Sequence, residues 1–212
     1  MTEVPSQIPV WEAKHGSGNH EPLRHKPSPF AQLAEPYFAR QSHILELGCG
    51  VGRDAEFFVS RGHTVLATDG VAVVIEQNRQ SNTVPGVEFA VLDMREPWPY
   101  KAASFDVVYA NLSLHYYSDE VTGQIVRAAR RVVKPGGWLA FACKSDDTLH
   151  RGGREIAPDI FASPSGQTIH LFSQQYMREL VEPVAAVEYL DEIEEVYSGR
   201  ESKIVRCLGR AN

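Results

Sequence analysis

Between His43 and Cys143 the chain alternates short apolar runs with stretches of helical length, and this rhythm constrains its fold more than any other feature. The runs are HILELG, HTVLATD, VEFAVLD, FDVVYAN and WLAFAC, and the stretches between them include RDAEFFVSRG, VAVVIEQNRQ and DEVTGQIVRAARRVV. Strands that are apolar throughout, rather than on alternate residues, must be covered on both faces. With helix-length segments between most of them, the expected architecture is α/β, a mostly parallel sheet packed between helices. Gly62 closes the first of these helices, and Ser118 or Asp119 opens the third near its N-cap. Gly136-Gly137 turns the chain into the fifth strand.

The flanks break the rhythm. Residues 1–29 hold Pro5, Pro9, Pro22, Pro27 and Pro29 and read as an irregular arm, because proline fixes φ and lacks an amide donor. Residues 30–39 read as a short helix broken at Pro36. Residues 1–40 are therefore expected to form an arm and short helix acting as a flap over the site, and 41–212 the main domain. Within it, residues 144–172 are too long for an ordinary connection and are expected to form an inserted, lid-like loop. A helix over 173–182 and strands near 184–195 and 202–209 finish the chain. Gly199 lies in the turn between those strands, so they are expected to pair antiparallel.

Of the 212 residues, 43% are hydrophobic and 23% charged, as in ordinary globular proteins. No apolar run reaches the roughly 18–20 residues that a membrane span needs. The N-terminus lacks the basic and apolar regions of a signal peptide. The three cysteines are widely separated and make no disulfide framework. These features point to a cytoplasmic protein with no membrane partner. The net charge of −6, with an acidic cluster from Glu188 to Glu195, disfavours nucleic acid, whose binders usually carry a basic surplus.

The most informative segment is Glu46-Leu47-Gly48-Cys49-Gly50-Val51-Gly52-Arg53-Asp54, where the first strand becomes the first helix. Glycines there allow a sharp turn and let a ligand approach the backbone. The dinucleotide fingerprint would require glycine at position 53, but Arg53 stands there and the third glycine comes one residue early, at Gly52. The second strand ends at Asp69, followed by Gly70, and the third at Asp93. One rim thus presents Glu46, Asp69 and Asp93, a set suited to a nucleoside with hydroxyl and amino groups or to a sulfonium cation. A phosphate would be repelled. Asp69 and Asp93 are also residue types that cap the turns that follow them.

With ELGCGVG, TDG, a strand ending LDM, FDVVYANLSLHY and VVKPGGWLAF in this order, the sequence resembles the class I S-adenosylmethionine (SAM)-dependent methyltransferases over roughly residues 43–143. The resemblance implies a Rossmann-like seven-stranded sheet of order 3-2-1-4-5-7-6, with strand 7 antiparallel and helices on both faces. It implies SAM as cofactor and a small-molecule methyl acceptor, in a monomer or homodimer. By the same likeness Gly48, Cys49, Gly50, Gly52 and Arg53 surround the methionine portion, with Glu46 beside them. Asp69 and Gly70 lie at the ribose, Asp93 and Met94 at the adenine, and Asn111 near the amino group.

Methyl transfer is an in-line displacement that demands alignment, and a general base only where the acceptor must lose a proton. His115 and Tyr116, following the fourth strand, are the expected catalytic residues, with Tyr117 extending an aromatic wall. The 144–172 insertion offers Lys144, Asp146, His150, Arg151, Arg154, Glu155, His170 and Phe172 to an anionic acceptor. The arm adds Trp11, His15, His20 and His25, whose spacing suits a flap better than a metal site. The competing classes are a non-catalytic SAM-binding protein, an NAD-dependent oxidoreductase and a methyltransferase acting on nucleic acid or protein.

Overall fold

A computed structural model describes residues 4–16, 25–81, 84–147, 153–162, 166–197 and 200–212. Strands β1 (His43–Leu47), β2 (Thr64–Asp69), β3 (Val87–Val91), β4 (Phe105–Asn111) and β5 (Val133–Asp147) form the parallel part of a seven-stranded sheet. Near the C-terminus follow β9 (Ala185–Tyr197) and β10 (Arg200–Ala211), and the full order is β3-β2-β1-β4-β5-β10-β9. β10 runs antiparallel to both β5 and β9. Counting only strands of this sheet, the order is the expected 3-2-1-4-5-7-6.

Alternate strand residues feed two separate cores, as the period of 2 along a strand requires. On one face Leu45, Leu47, Val108, Leu139, Phe141 and Cys207 pack under α5 (Asp119–Val132) and α6 (Gln174–Val181) through Ile125, Ala129 and Met177. On the other, Ile44, Val65, Val107 and Tyr109 meet α2 (Pro29–Ala34), α3 (Arg53–Ser60) and α4 (Ala72–Ser81). Ser28, Ser118 and Ser173 cap α2, α5 and α6, each accepting the amide of the residue three positions on. These caps set the first turn of each helix and so its angle on the sheet.

Two segments differ from the sequence expectation. The arm is not irregular throughout, because Ile8–Gly16 forms helix α1. Pro9 falls in its first turn, where a missing amide costs nothing, and the helix is held by tertiary contacts. The lid region is not simply a loop. β5 runs on to Asp147, and β6 (Arg154–Ala157), β7 (Ile160–Ala162) and β8 (Thr168–His170) form a small antiparallel sheet. Three strands of three or four residues carry too little periodicity to be read in advance. The segment 30–39 behaves as expected, with α2 giving way to a single 3-10 turn at Glu35–Tyr37, around Pro36. Gly199 lies outside the described residues, as do His20, His150 and Arg151.

Candidate active site

The C-terminal ends of β1, β2 and β4 open into a cavity of about 330 Å³, within the range of small-molecule sites. Its floor is the turn after β1. Gly48 has φ +72°, and a Cβ there would lie 2.4 Å from the Cβ of Ser113, so only glycine lets β1 and the segment after β4 approach this closely. Gly52 also has a positive φ and heads α3, and its missing side chain leaves room for the Phe89 ring. Gly48, Cys49, Gly50, Val51 and Arg53 line the cavity, whereas Gly52 acts from beneath.

The turn is fixed from the β2 side. Thr68 accepts both the Gly48 and Cys49 amides, at 2.7 and 2.9 Å. Asp69 accepts the Gly50 amide on Oδ2 at 3.0 Å and the Val71 amide on Oδ1 at 2.9 Å. Asp69 and Gly70 both stand on the cavity wall. Burial raises the Asp69 pKa, and the amides of Val71, Gly50 and Gly70 counter it.

Glu46 is 4% exposed, yet it also lines the cavity. The Ala55 amide serves this carboxylate, while Oε2 has no hydrogen-bond partner among the described residues. Burial above all, and then the nearby carboxylates of Asp54 and Asp69, hold the Glu46 pKa well above its ordinary value, with Arg53 acting against them. A buried polar atom without a partner costs free energy comparable to a lost hydrogen bond, and at a cavity wall it marks a place for a ligand donor or cation.

The third rim residue, Asp93, lies just beyond β3 and turns to Arg95. Arg95 donates from Nε and Nη2 to the Asp93 carboxylate at 2.5–3.1 Å. That bidentate contact holds the carboxyl below its usual pKa. Met94 and Arg95 reach the cavity wall, and Asp93 stands behind them.

After β4 the backbone turns at Leu112, whose φ of +55° is unusual for a branched residue. The Ser113 hydroxyl donates to the Leu47 carbonyl at 2.8 Å, and a 3-10 turn follows at Leu114–Tyr116. This geometry separates the two expected catalytic residues. Tyr116 faces the cavity together with Asn111, Leu112, Ser113 and Tyr117. His115 is fully buried, is not part of the cavity lining, and accepts the Lys144 amide on Nδ1 at 3.4 Å.

Helix α1 roofs the cavity with Ile8, Trp11, Lys14 and His15. Trp11 meets Tyr116 edge to face, with ring centroids 5.0 Å apart, and Lys14 stands 5.0 Å over the Trp11 ring. Of the insertion's candidates, Lys144 lines the cavity. His170 and Phe172 instead pack on Tyr176, away from it, while Arg154 and Glu155 lie on β6 and Asp146 on β5. His25 is exposed and pairs with Glu56 at 3.0 Å.

The family model described as a methyltransferase domain matches residues 44–137. The chain is 31% identical over 156 residues to the 27-O-demethylrifamycin SV methyltransferase of Amycolatopsis mediterranei, covering 70% of this chain and 49% of that one. It is 29% identical over 110 residues to the malonyl-[acyl-carrier protein] O-methyltransferase of Pseudescherichia vulneris, covering 52% of this chain and 42% of that one. Both alignments span less than half of the relative's length. In fold it is similar to the 1,6-didemethyltoxoflavin-N1-methyltransferase of Burkholderia thailandensis, solved with its namesake compound and S-adenosylhomocysteine. The TM-score is 0.71 at 18% identity, over 95% of this chain and 88% of that one. Residues 44–137 carry a methyltransferase domain.

The sequence reading passed over Asp54 as a residue of this site. Asp54, in the first turn of α3, is 2% exposed and lines the cavity. It accepts the Ser28 amide and hydroxyl, each at 2.7 Å, the Tyr109 hydroxyl at 2.8 Å and the Asn111 side chain at 3.3 Å. An acidic residue at the start of a helix is common as a partner of the helix dipole, so its type alone carried no signal. Asp54 ties the segment before α2 to the end of β4.

Proposed function

We propose that the protein binds SAM against the Gly48–Gly52 turn and transfers its methyl group to a small-molecule acceptor. The observation that carries this reading is the Glu46 carboxylate, buried at the cavity wall with Oε2 unserved. An ammonium or sulfonium group answers that need, whereas the carboxylates of Glu46, Asp54 and Asp69 together would repel a phosphate. The positive-φ glycines leave the cradle open to a ligand at the backbone. When bound, SAM supplies a methyl group activated on a sulfonium sulfur.

The chain's own residues would divide the remaining work. Asp69, already fixed by two amides, presents carboxylate lone pairs to ribose hydroxyls. Arg95 holds the Asp93 carboxylate beside Met94, at the expected adenine end. Asn111, anchored on Asp54, faces the amino-acid end. Tyr116 and Trp11 form the acceptor's aromatic wall, and His115 holds the Lys144 backbone from behind. The α1 roof narrows the space left for an acceptor, and the names of the curated relatives include small-molecule methyltransferases.

Two measurements test this. Calorimetry is expected to register binding of SAM and S-adenosylhomocysteine and none of NAD. Incubation with methyl-labelled SAM and a cell extract is expected to label a low-molecular-weight product identifiable by mass. Tight NAD binding without SAM binding would overturn the cofactor assignment. Label found in nucleic acid or protein would overturn the acceptor class, and SAM binding without any transfer would leave a binding protein.

A further inference from the structure

Building on the proposed activity, we infer that His15, on the roofing helix, is the residue that takes the acceptor's proton, so that the acceptor is a hydroxyl or N–H compound. Of the histidines among the described residues, His15 is the one on the cavity wall. His115 and His63 are buried elsewhere, His170 packs against Phe172 and Tyr176, and His25 pairs with Glu56. The His15 ring reaches over the glycine turn, its Cε1 3.9 Å from where a Cβ on Gly50 would sit. The Trp11 ring lies between it and Tyr116, with centroid separations of 5.8 and 5.0 Å, so three rings cross the roof of the cavity in sequence.

Helix α1, which carries Trp11 and His15, is anchored at its N-terminal end. The Gln7 side chain accepts the Thr168 amide of β8 at 2.9 Å, and Ile8 would be in contact with a Cβ on Gly70, 3.4 Å away. His15, one turn beyond Trp11 and beside its ring, stands on the cavity wall. Burial, and then the adjacent Lys14, lower its pKa and favour the neutral imidazole that a base requires. The other charged groups on the same wall are Glu46, Arg53, Asp54, Asp69, Arg95 and Lys144. Those groups set the field in which His15 titrates, and Cys49, Tyr116 and Tyr117 complete the titratable set of the wall.

The step balances without a further reactant. A lone pair on the acceptor's oxygen or nitrogen forms the new bond to the methyl carbon. The sulfonium–methyl bond breaks with its electron pair left on sulfur, and the acceptor's proton passes to the His15 imidazole and then to solvent.

The test compares the full chain with H15A and H15Q, using methyl-labelled SAM and a cell extract as acceptor source, with S-adenosylhomocysteine calorimetry alongside. Transfer at neutral pH is expected to fall about 10²–10⁴-fold in both variants while S-adenosylhomocysteine affinity stays within about twofold. The limb of the pH profile that reports His15 is expected to vanish, and added imidazole is expected to restore part of the transfer to H15A. Unchanged transfer would overturn the inference. So would equal losses of transfer and S-adenosylhomocysteine affinity without imidazole rescue, which would make His15 a cofactor or packing residue. A wild-type protein that binds S-adenosylhomocysteine but transfers nothing would overturn the proposed activity itself, and this inference with it.

Discussion

Gly50 donates its backbone amide to the Asp69 carboxylate at 3.0 Å, across 19 residues of sequence. One oxygen of that carboxylate thereby stiffens the glycine turn, while the other caps the turn into α4 through Val71. A residue expected to meet ribose is thus also a structural tie between two loops of the site.

Replacing Asp69 with Ala is therefore expected to act twice. SAM affinity should fall by about 1–3 kcal/mol for lost charge-assisted bonds, and unfolding stability by about 1 kcal/mol for the two released amides. Calorimetry and urea denaturation separate the two effects. Normal SAM affinity in a destabilised variant would reduce Asp69 to its structural role.

Glu46 yields a pH prediction. Its folded-state pKa is raised, so the folded protein binds the proton more tightly than the unfolded chain does. Its contribution to stability is complete below the ordinary carboxylate range and is lost as pH rises through the elevated value. Glu46→Gln should remove that loss, stabilising the ligand-free protein at neutral pH by on the order of 1 kcal/mol, and should weaken SAM binding. Binding of the cationic ligand should also expel the Glu46 proton at mildly acidic pH. Calorimetric enthalpies in buffers of different ionisation heat test this, and buffer-independent enthalpies would contradict it.

Much of this was legible in the sequence because the features concerned are local. The glycine turn and Asp69 at the end of β2 follow from residue type and spacing along single elements, whereas the sheet order came with the family resemblance. Asp54 was not legible, because its role depends on partners 26, 55 and 57 residues away. The burial of His115 was hidden for a related reason. The positive φ at Leu112 and the 3-10 turn after it decide which of two adjacent side chains faces the cavity, and no periodicity records that choice. Helix α1 was obscured by Pro9 and the prolines flanking it, since what stabilises it lies on α4 and β8 rather than within the helix.

Gly48→Ala should be among the most damaging substitutions in the turn. It places a side chain at φ +72°, at about 1–2 kcal/mol, and drives a Cβ to 2.4 Å from Ser113. Overpacking of that kind adds about 1–3 kcal/mol. SAM binding should be lost even under conditions where circular dichroism reports a folded protein. Retained binding would mean that β4 can withdraw from β1 at little cost.

Gln7 links the roof to the accessory sheet. Gln7→Ala leaves the buried Thr168 amide without its acceptor, a local cost of about 1–3 kcal/mol. Amide exchange at Thr168 and along α1 should accelerate together by about 10–100-fold, while β1 and β4 remain protected. S-adenosylhomocysteine should slow exchange in α1 of the wild-type protein. Acceleration confined to Thr168 would show that α1 is held by its other contacts alone.

His115 and His15 are expected to respond differently to the same truncation. His115 is fully buried, its ring centroid 4.3 Å from that of Tyr116, and its Nδ1 accepts the Lys144 amide. His115→Ala opens a cavity under Tyr116 and releases that amide, so stability should fall by about 2–4 kcal/mol. Turnover should fall with it, because Tyr116 and Lys144 both line the site and both lose their backing. His115→Asn can still accept a hydrogen bond and should recover part of the stability and turnover together. Imidazole should rescue neither variant, since His115 is fully buried and is not part of the cavity lining. Thermal denaturation and methyl-transfer assays on the two variants decide the matter. If His115→Ala keeps its stability and its S-adenosylhomocysteine affinity but loses turnover, the imidazole acts in the chemistry, and its buried position describes a state that opens before transfer.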